Sequence, residues 1–218
     1  MKLNTTIRNT GLAAAALSLS FGLAACSSDD SSTTASDDTS SSAAAPSPTE
    51  ESSSAATDAG ADTFGPGCSA IPTEGDGSFN GMATAPVATA ASANPLLKTL
   101  VAAVTKAGLV DTLNSADALT VFAPTDDAFA KIPTKTLNAV LADKKTLTKI
   151  LTHHVIAGQL GPDQIAGEHD TLAGDTLKVE GSGDNFTVAG DNAKVLCGNI
   201  PTANATVYVI DTVLMPAA

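Results

Sequence analysis

Between Ser27 and Thr63 the chain has no Val, Ile, Leu, Met or aromatic residue. The segment is Ser, Thr, Ala, Asp and Glu, punctuated by Pro46, Pro48 and Gly60. Such a stretch cannot bury enough apolar surface to offset the entropy of ordering it, so disorder is its expected state. Any packed core must therefore come from the sequence beyond it, Phe64 to Ala218. Eight acids and no base lie in the segment, and their mutual repulsion favours extended conformations. As a flexible coil its ends would sit roughly 35 Å apart. The expected role is a tether, and the Ser, Thr and Pro around Pro46 and Pro48 permit O-glycosylation.

Residues 1–25 differ from the tether. Lys2 and Arg8 precede the apolar run from Gly11 to Ala25, with no acid among them. A basic start and a short hydrophobic region make a secretory signal. The run falls short of the ~20 residues that a membrane-spanning helix needs. Leu23-Ala24-Ala25-Cys26 resembles a bacterial lipobox, in which the signal is cut before a Cys that receives diacylglycerol. The reading is a signal peptide over 1–25 and a lipidated Cys26 opening the 26–63 tether, with an ordinary cleaved signal as the alternative. The acyl chains would anchor the protein, since each buried methylene contributes about 0.8 kcal/mol.

The formal charge of −12 then divides into +2 in the signal, −8 in the tether and −6 in the domain from Phe64. A net charge of −12 and a single Arg argue against a nucleic-acid surface, which needs clustered Lys and Arg to displace counterions. Aromatic residues make up 3% of the chain and Trp is absent, which disfavours stacking platforms for bases or sugars. Cys68 and Cys197 are an even pair in an oxidising extracellular setting and suit a disulfide. Two buried thiols or a metal pair are the alternatives; against a metal stand the missing C-x-x-C and the lack of a nearby His.

Periodicity predicts an α+β domain of about 155 residues, helices first and strands later. Leu96, Leu97, Leu100, Val101 and Val104 mark a helix opened by Asn94-Pro95 and closed by Gly108. Ala118 to Ala123 reads as a short buried strand ended by Pro124, and Thr125 then caps a helix whose first turn holds Asp126 and Asp127. Thr136 to Leu141 and Asp143 to His154 read as two further helices. Past Gly158 the pattern alternates, giving strands at 176–180, 185–189, 193–197 and 206–214.

Thr120-Val121-Phe122-Ala123-Pro124-Thr125-Asp-Asp-Ala-Phe129 resembles the first signature of the fasciclin domain family. The segment Val207 to Pro216, which includes Asp211, resembles the second signature. Ile150 to Gly158, with His154, is similar to the Leu-x-x-His-Val-x-x-Gly element between them. Gly65 to Cys68, Val195 to Gly198 and Thr202 to Val207 further resemble the secreted immunogenic fasciclin-domain proteins of mycobacteria and related actinobacteria. The resemblance implies a β-wedge or sandwich with helices packed along one side, and a disulfide at the positions of Cys68 and Cys197. It also implies an adhesion or matrix role without catalysis or cofactor. The Tyr-His pair linked to adhesion in animal members is not carried over, because His153 stands at the Tyr position.

Chemical alternatives are weaker. Neighbouring His153 and His154 would point about 100° apart on a helix and would not chelate one ion. His154 is expected to be a satisfied core residue and His153 partly exposed. Asp126 and Asp127 are explained by the helix terminus they occupy, and no G-x-S-x-G elbow supports a hydrolase. The Asn-x-Thr sites at Asn185 and Asn204 read as strand and turn residues. The expectation is therefore a lipid-anchored module on the extracellular face of the membrane, monomeric as a domain. It would have no catalytic or metal residues and would bind a protein or an envelope glycan. The second reading is a solute-binding lipoprotein holding an apolar ligand between helices and sheet, and the third is a hydrolase.

Overall fold

A computed structural model describes residues 58–188, 190 and 192–216. The expected signal peptide, Cys26 and most of the expected tether lie outside the described residues. Structure begins ahead of Phe64: the Ala59 N–H donates to Asn80 Oδ1 at 2.9 Å and Thr63 closes a turn onto the Gly60 carbonyl.

A 3-10 turn, Pro66–Ala70, leads into four helices: α1 (Phe79–Ala83), α2 (Val87–Ala93), α3 (Lys98–Ala107) and α4 (Val110–Ser115). Strand β1 (Leu119–Pro124) follows, then α5 (Asp126–Ala130), α6 (Thr134–Ala142) and α7 (Lys144–His153). The chain ends in β2 (Val155–Ala157), β3 (Gly167–Asp170), β4 (Thr176–Ser182), β5 (Asn185–Val188), β6 (Ala193–Pro201) and β7 (Ala205–Ile210).

The strands form one sheet in the order β2-β1-β7-β6-β5-β4-β3. Only β1 and β7 pair parallel among them, Leu119 opposite Ala205 through Pro124 opposite Ile210. The outer strands come together through an Ile156–Thr171 bridge, and the Leu172 N–H donates to the Val155 carbonyl at 2.8 Å. The sheet therefore curls into a nearly closed barrel-like wedge with two cores. Phe122, Ile156, Leu177, Val179, Phe186, Val188, Tyr208 and Ile210 pack together in one. Val121, Ala123, Cys197, Val207 and Val209 pack with the helices in the other.

This two-sided burial explains why β1 reads as an unbroken buried run, whereas β4 begins with alternating exposed and buried residues. A strand covered on both faces has no polar face to declare. Parallel pairing of β1 with β7 also places Phe122 beside Tyr208, their ring centroids 5.8 Å apart.

Local signals placed several elements accurately. Gly108 ends α3 at φ 74° in the left-handed region, and the Thr125 hydroxyl accepts from the Ala128 N–H at 3.2 Å at the start of α5. Asp143 caps α7 through the N–H groups of Lys145 and Thr146. Its carboxyl is held below the usual range by the Thr146 hydroxyl and then by those amides. Other expectations need correction. Asn94 does not open α3; it closes α2, its Oδ1 accepts from the Leu96 N–H, and α3 begins at Lys98. The final strand stops at Ile210, and Val213 and Leu214 are buried beyond it. Helices α1, α2 and α4 and strands β2 and β3 escaped the sequence reading because they are short, and α2 in particular is Ala-rich without a stripe of large apolar residues.

Candidate functional site

The Thr120–Phe129 motif builds the contact between sheet and helices. Val121 and Ala123 face the helix-side core and Phe122 faces the sheet interior. Thr120 is fully buried; its hydroxyl donates to the Gly158 carbonyl at 2.7 Å and accepts from the Leu160 N–H at 2.9 Å. Phe129 returns to the helix-side core after the Thr125 cap. Asp126 has a role beyond its own helix. Its Oδ1 accepts from the Thr99 N–H at 2.7 Å, while its own N–H donates to the Leu96 carbonyl. It thereby satisfies an otherwise orphaned amide at the start of α3.

His154 is buried with both ring nitrogens used. Nδ1 lies 2.8 Å from the Ile150 carbonyl and Nε2 lies 2.9 Å from the Leu214 amide. A carbonyl only accepts and an amide N–H only donates, so the neighbours assign the proton to Nδ1 and a lone pair to Nε2. Burial, with His153 adding to it and the Ile150 bond opposing, pushes the imidazole down to about 4. A second proton on Nε2 would set two N–H groups against each other. His154 is thus a neutral clamp between α7 and the chain end, with no nitrogen left for proton transfer.

His153 is not partly exposed as expected: it is 6% exposed, and Nδ1 lies 2.7 Å from Asp175 Oδ1. The β3–β4 turn supplies this partner, and the Thr171 hydroxyl donates to the same carboxylate oxygen. Burial alone would raise Asp175, but the Thr171 and His153 bonds outweigh it and hold the carboxyl below its ordinary value. The two imidazole planes are nearly perpendicular, with centroids 6.4 Å apart. Among the described residues no three His, Cys, Asp or Glu side chains converge as a metal cage would require.

Asp211 accepts from the Lys194 N–H at 2.8 Å and from Lys131 Nζ at 3.2 Å. Burial would raise its carboxyl, yet these bonds and the Thr212 hydroxyl lower it. Pro216 lines a surface groove with Val140, Lys145 and Ile150. Cys68 and Cys197 form a disulfide with Cα atoms 4.8 Å apart. It ties the Pro66–Ala70 turn to β6 beside the Phe64–Gly198 bridge. A Cβ on Gly198 would collide with the Phe64 ring, so glycine is what lets Phe64 lie against the strand. That ring packs on Phe186 at 5.4 Å and on Tyr208 at 6.2 Å, closing part of the inner core. Asp126, His154 and Asp211 each bind different partners, and they form no common constellation.

A fasciclin domain family model matches residues 95–216. The chain is also 48% identical over 172 residues to the cell surface glycolipoprotein MPB83 of Mycobacterium bovis, spanning 75% of this chain and 77% of that protein.

This protein belongs to the fasciclin domain family.

The immunogenic protein MPB70 of Mycobacterium bovis is 47% identical over 169 residues, covering 73% of this fasciclin-domain protein and 86% of its relative. A FAS1 domain pair from the insect cell adhesion molecule fasciclin I superposes with a TM-score of 0.46 at 24% identity, over 55% of this chain and 45% of that one. The two mycobacterial relatives are named for the cell surface and for immunogenicity.

Two features of the fasciclin domain depend on residues that local sequence patterns do not bring together. Asn204, a turn residue in an Asn-x-Thr pattern, is a polar staple. Its Oδ1 accepts from the Val87 N–H at 2.8 Å, and its Nδ2 donates to the Leu113 and Ala116 carbonyls at 2.8 and 2.9 Å. One side chain thus satisfies the start of α2 and the end of α4. Its inward-turned amide makes it a fold element, and the turn assignment alone could not reveal those partners. The second feature is an apolar cavity of about 70 Å³ between the helices and the sheet, lined by residues of α2, α3, α4, α7, β1 and β2.

Proposed function

We propose that this protein is a cell-envelope lipoprotein that displays its fasciclin domain as a non-enzymatic binding and adhesion module. The observation that carries this reading is the use of the reactive side chains: His154, Asp126 and Asp211 are each committed to bonds that hold the fold. Membership of a family with surface-located relatives supports the extracellular setting. Diacylglyceryl Cys26 is the membrane anchor and the acidic segment after it is the spacer. The domain acts as a monomer.

Residues 131–149 carry five lysines and one acid, in a domain that is acidic as a whole. Those lysines are exposed on and beside α6 and α7. Helix α6 has no fully buried residue, and Leu137, Val140 and Leu141 pack only partly against the core. A basic face with an apolar edge suits an acidic protein or an acidic envelope glycan, because opposite potentials steer encounter and fix orientation. A photo-crosslinking amino acid at Lys135, compared with one at Lys178 on β4, tests the assignment on intact cells. The expected result is a discrete adduct from Lys135 that is at least fivefold stronger than any from Lys178. Equal or absent adducts at the two positions would overturn it.

A further inference from the structure

The helix–sheet layer contains a run of apolar voids. The cavity of about 70 Å³ shares Val87, Ala91, Leu100 and Val121 with a second of about 30 Å³, and Leu151 and His154 with a third of about 20 Å³. Their origin lies in the sequence. Helix α2 reads Val-Ala-Thr-Ala-Ala-Ser-Ala, and its Ala88, Ala90 and Ala91, with Ala103 of α3, line the voids where larger side chains would close them. Protein interiors are ordinarily close-packed, and atoms lining a void lose dispersion contacts on that side.

Water is a poor occupant here. Water fits by volume, but each buried water needs two to four polar partners. His154 gives both ring nitrogens to Ile150 and Leu214, and the Thr152 hydroxyl donates to the Thr148 carbonyl at 2.9 Å. The rest of the wall is almost wholly hydrocarbon. The cavity reaches the surface between α4 and the β3–β4 turn, where exposed Thr112 and Leu172 both line it. Leu172 is 47% exposed, one of two large apolar side chains so exposed among the described residues. Its turn is held by the His153–Asp175 bond.

We propose that this cavity is a binding site for the end of a saturated hydrocarbon chain, which enters past Leu172. The cavity has room for the terminal few carbons, and small adjustments of the Ala-rich helices into the adjoining voids admit more. No charged group waits inside, so a polar head remains at the mouth beside Thr112. Two sources share this chemistry, an envelope lipid and the acyl chain on Cys26.

The test titrates 1-dodecanol into full-length Cys26→Ala protein and follows the methyl NMR signals of Leu172, Val101 and Leu113. The expected result is saturable shifts at these residues, with Val179 and Val188 of the inner core unmoved. Val101→Phe, which narrows the site from a half-buried position, should weaken binding at least tenfold. Ala88→Leu serves the same purpose if that variant does not fold. Lipidated protein from its own cells separates the sources. The protein is compared before and after extraction of non-covalent lipid: shifts that persist after extraction identify the protein's own acyl chain, whereas shifts lost on extraction, with the 1-dodecanol response restored, identify a separate lipid. Unmoved signals at saturating 1-dodecanol, or undiminished binding by a folded cavity-filling variant, would overturn the proposal. Hydrocarbon binding and partner contact at α6–α7 are read by separate measurements, so either can fail alone.

Discussion

Replacing both disulfide cysteines, Cys68→Ser with Cys197→Ser, is expected to lower the melting temperature by about 10–20 °C. The cysteines are 129 residues apart, and cross-linking a loop of that length removes entropy from the unfolded chain. The chain-entropy estimate is about 5 kcal/mol at most. For a domain of this size each kcal/mol corresponds to about 2–4 °C. The folded state adds to the effect: Cys197 is buried in the helix-side core, and its neighbour Gly198 holds Phe64 over Phe186 and Tyr208. Thermal unfolding of the oxidised protein and the double variant provides the check. A difference below about 3 °C would mean that the cross-link restrains little of the unfolded chain.

The second large effect belongs to His154. Its imidazole titrates at about 4 in the folded protein against 6.5 for an unperturbed side chain. Between those values the unfolded chain binds a proton that the folded one does not, so folding stability must rise with pH across the window. Stability from this residue is fully present above pH 6.5, declines as pH falls, and is lost near pH 4. The gap between the two values corresponds to about 3 kcal/mol. Asp175 and Asp211, whose carboxyls are lowered from 3.8, contribute stability above that value and lose it as pH falls through their folded values. Their effect therefore lies below the His154 window. His154→Ala should cost about 3–5 kcal/mol at pH 7, because it opens a cavity and strips partners from the Ile150 carbonyl and the Leu214 amide. It should also flatten the pH slope between 4 and 6.5. Denaturant titrations at a series of pH values measure both; an unchanged slope in the variant would assign the titration elsewhere.

What could be read from the sequence depended on how far apart the interacting residues lie. Thr125 meets Ala128 within one helical turn, so residue type and position sufficed for that cap; Asp143 was placed only as a helix start, and its bonds to Lys145 and Thr146 are equally local. The buried run at Leu119 to Pro124 and the alternation in β4 were legible because burial sets their patterns. Asp126 was assigned to its own helix because its partner Thr99 lies 27 residues away. His153 was left half-open for a similar reason, since Asp175 is 22 residues downstream on another turn. Asn204 reaches Val87 across 117 residues, a pairing that no local pattern encodes. The cavity is subtler still. An Ala-rich helix shows which side chains are small, but only the packed arrangement shows where neighbouring helices fail to fill the space.

Display at the outer face through lipid on Cys26 is tested most directly by labelling with palmitate in the protein's own cells. Wild type and Cys26→Ala are compared for label and for recovery of the domain with the cells. Label on wild type alone, with Cys26→Ala released into the medium, is the expected result; equal labelling of both proteins would contradict it.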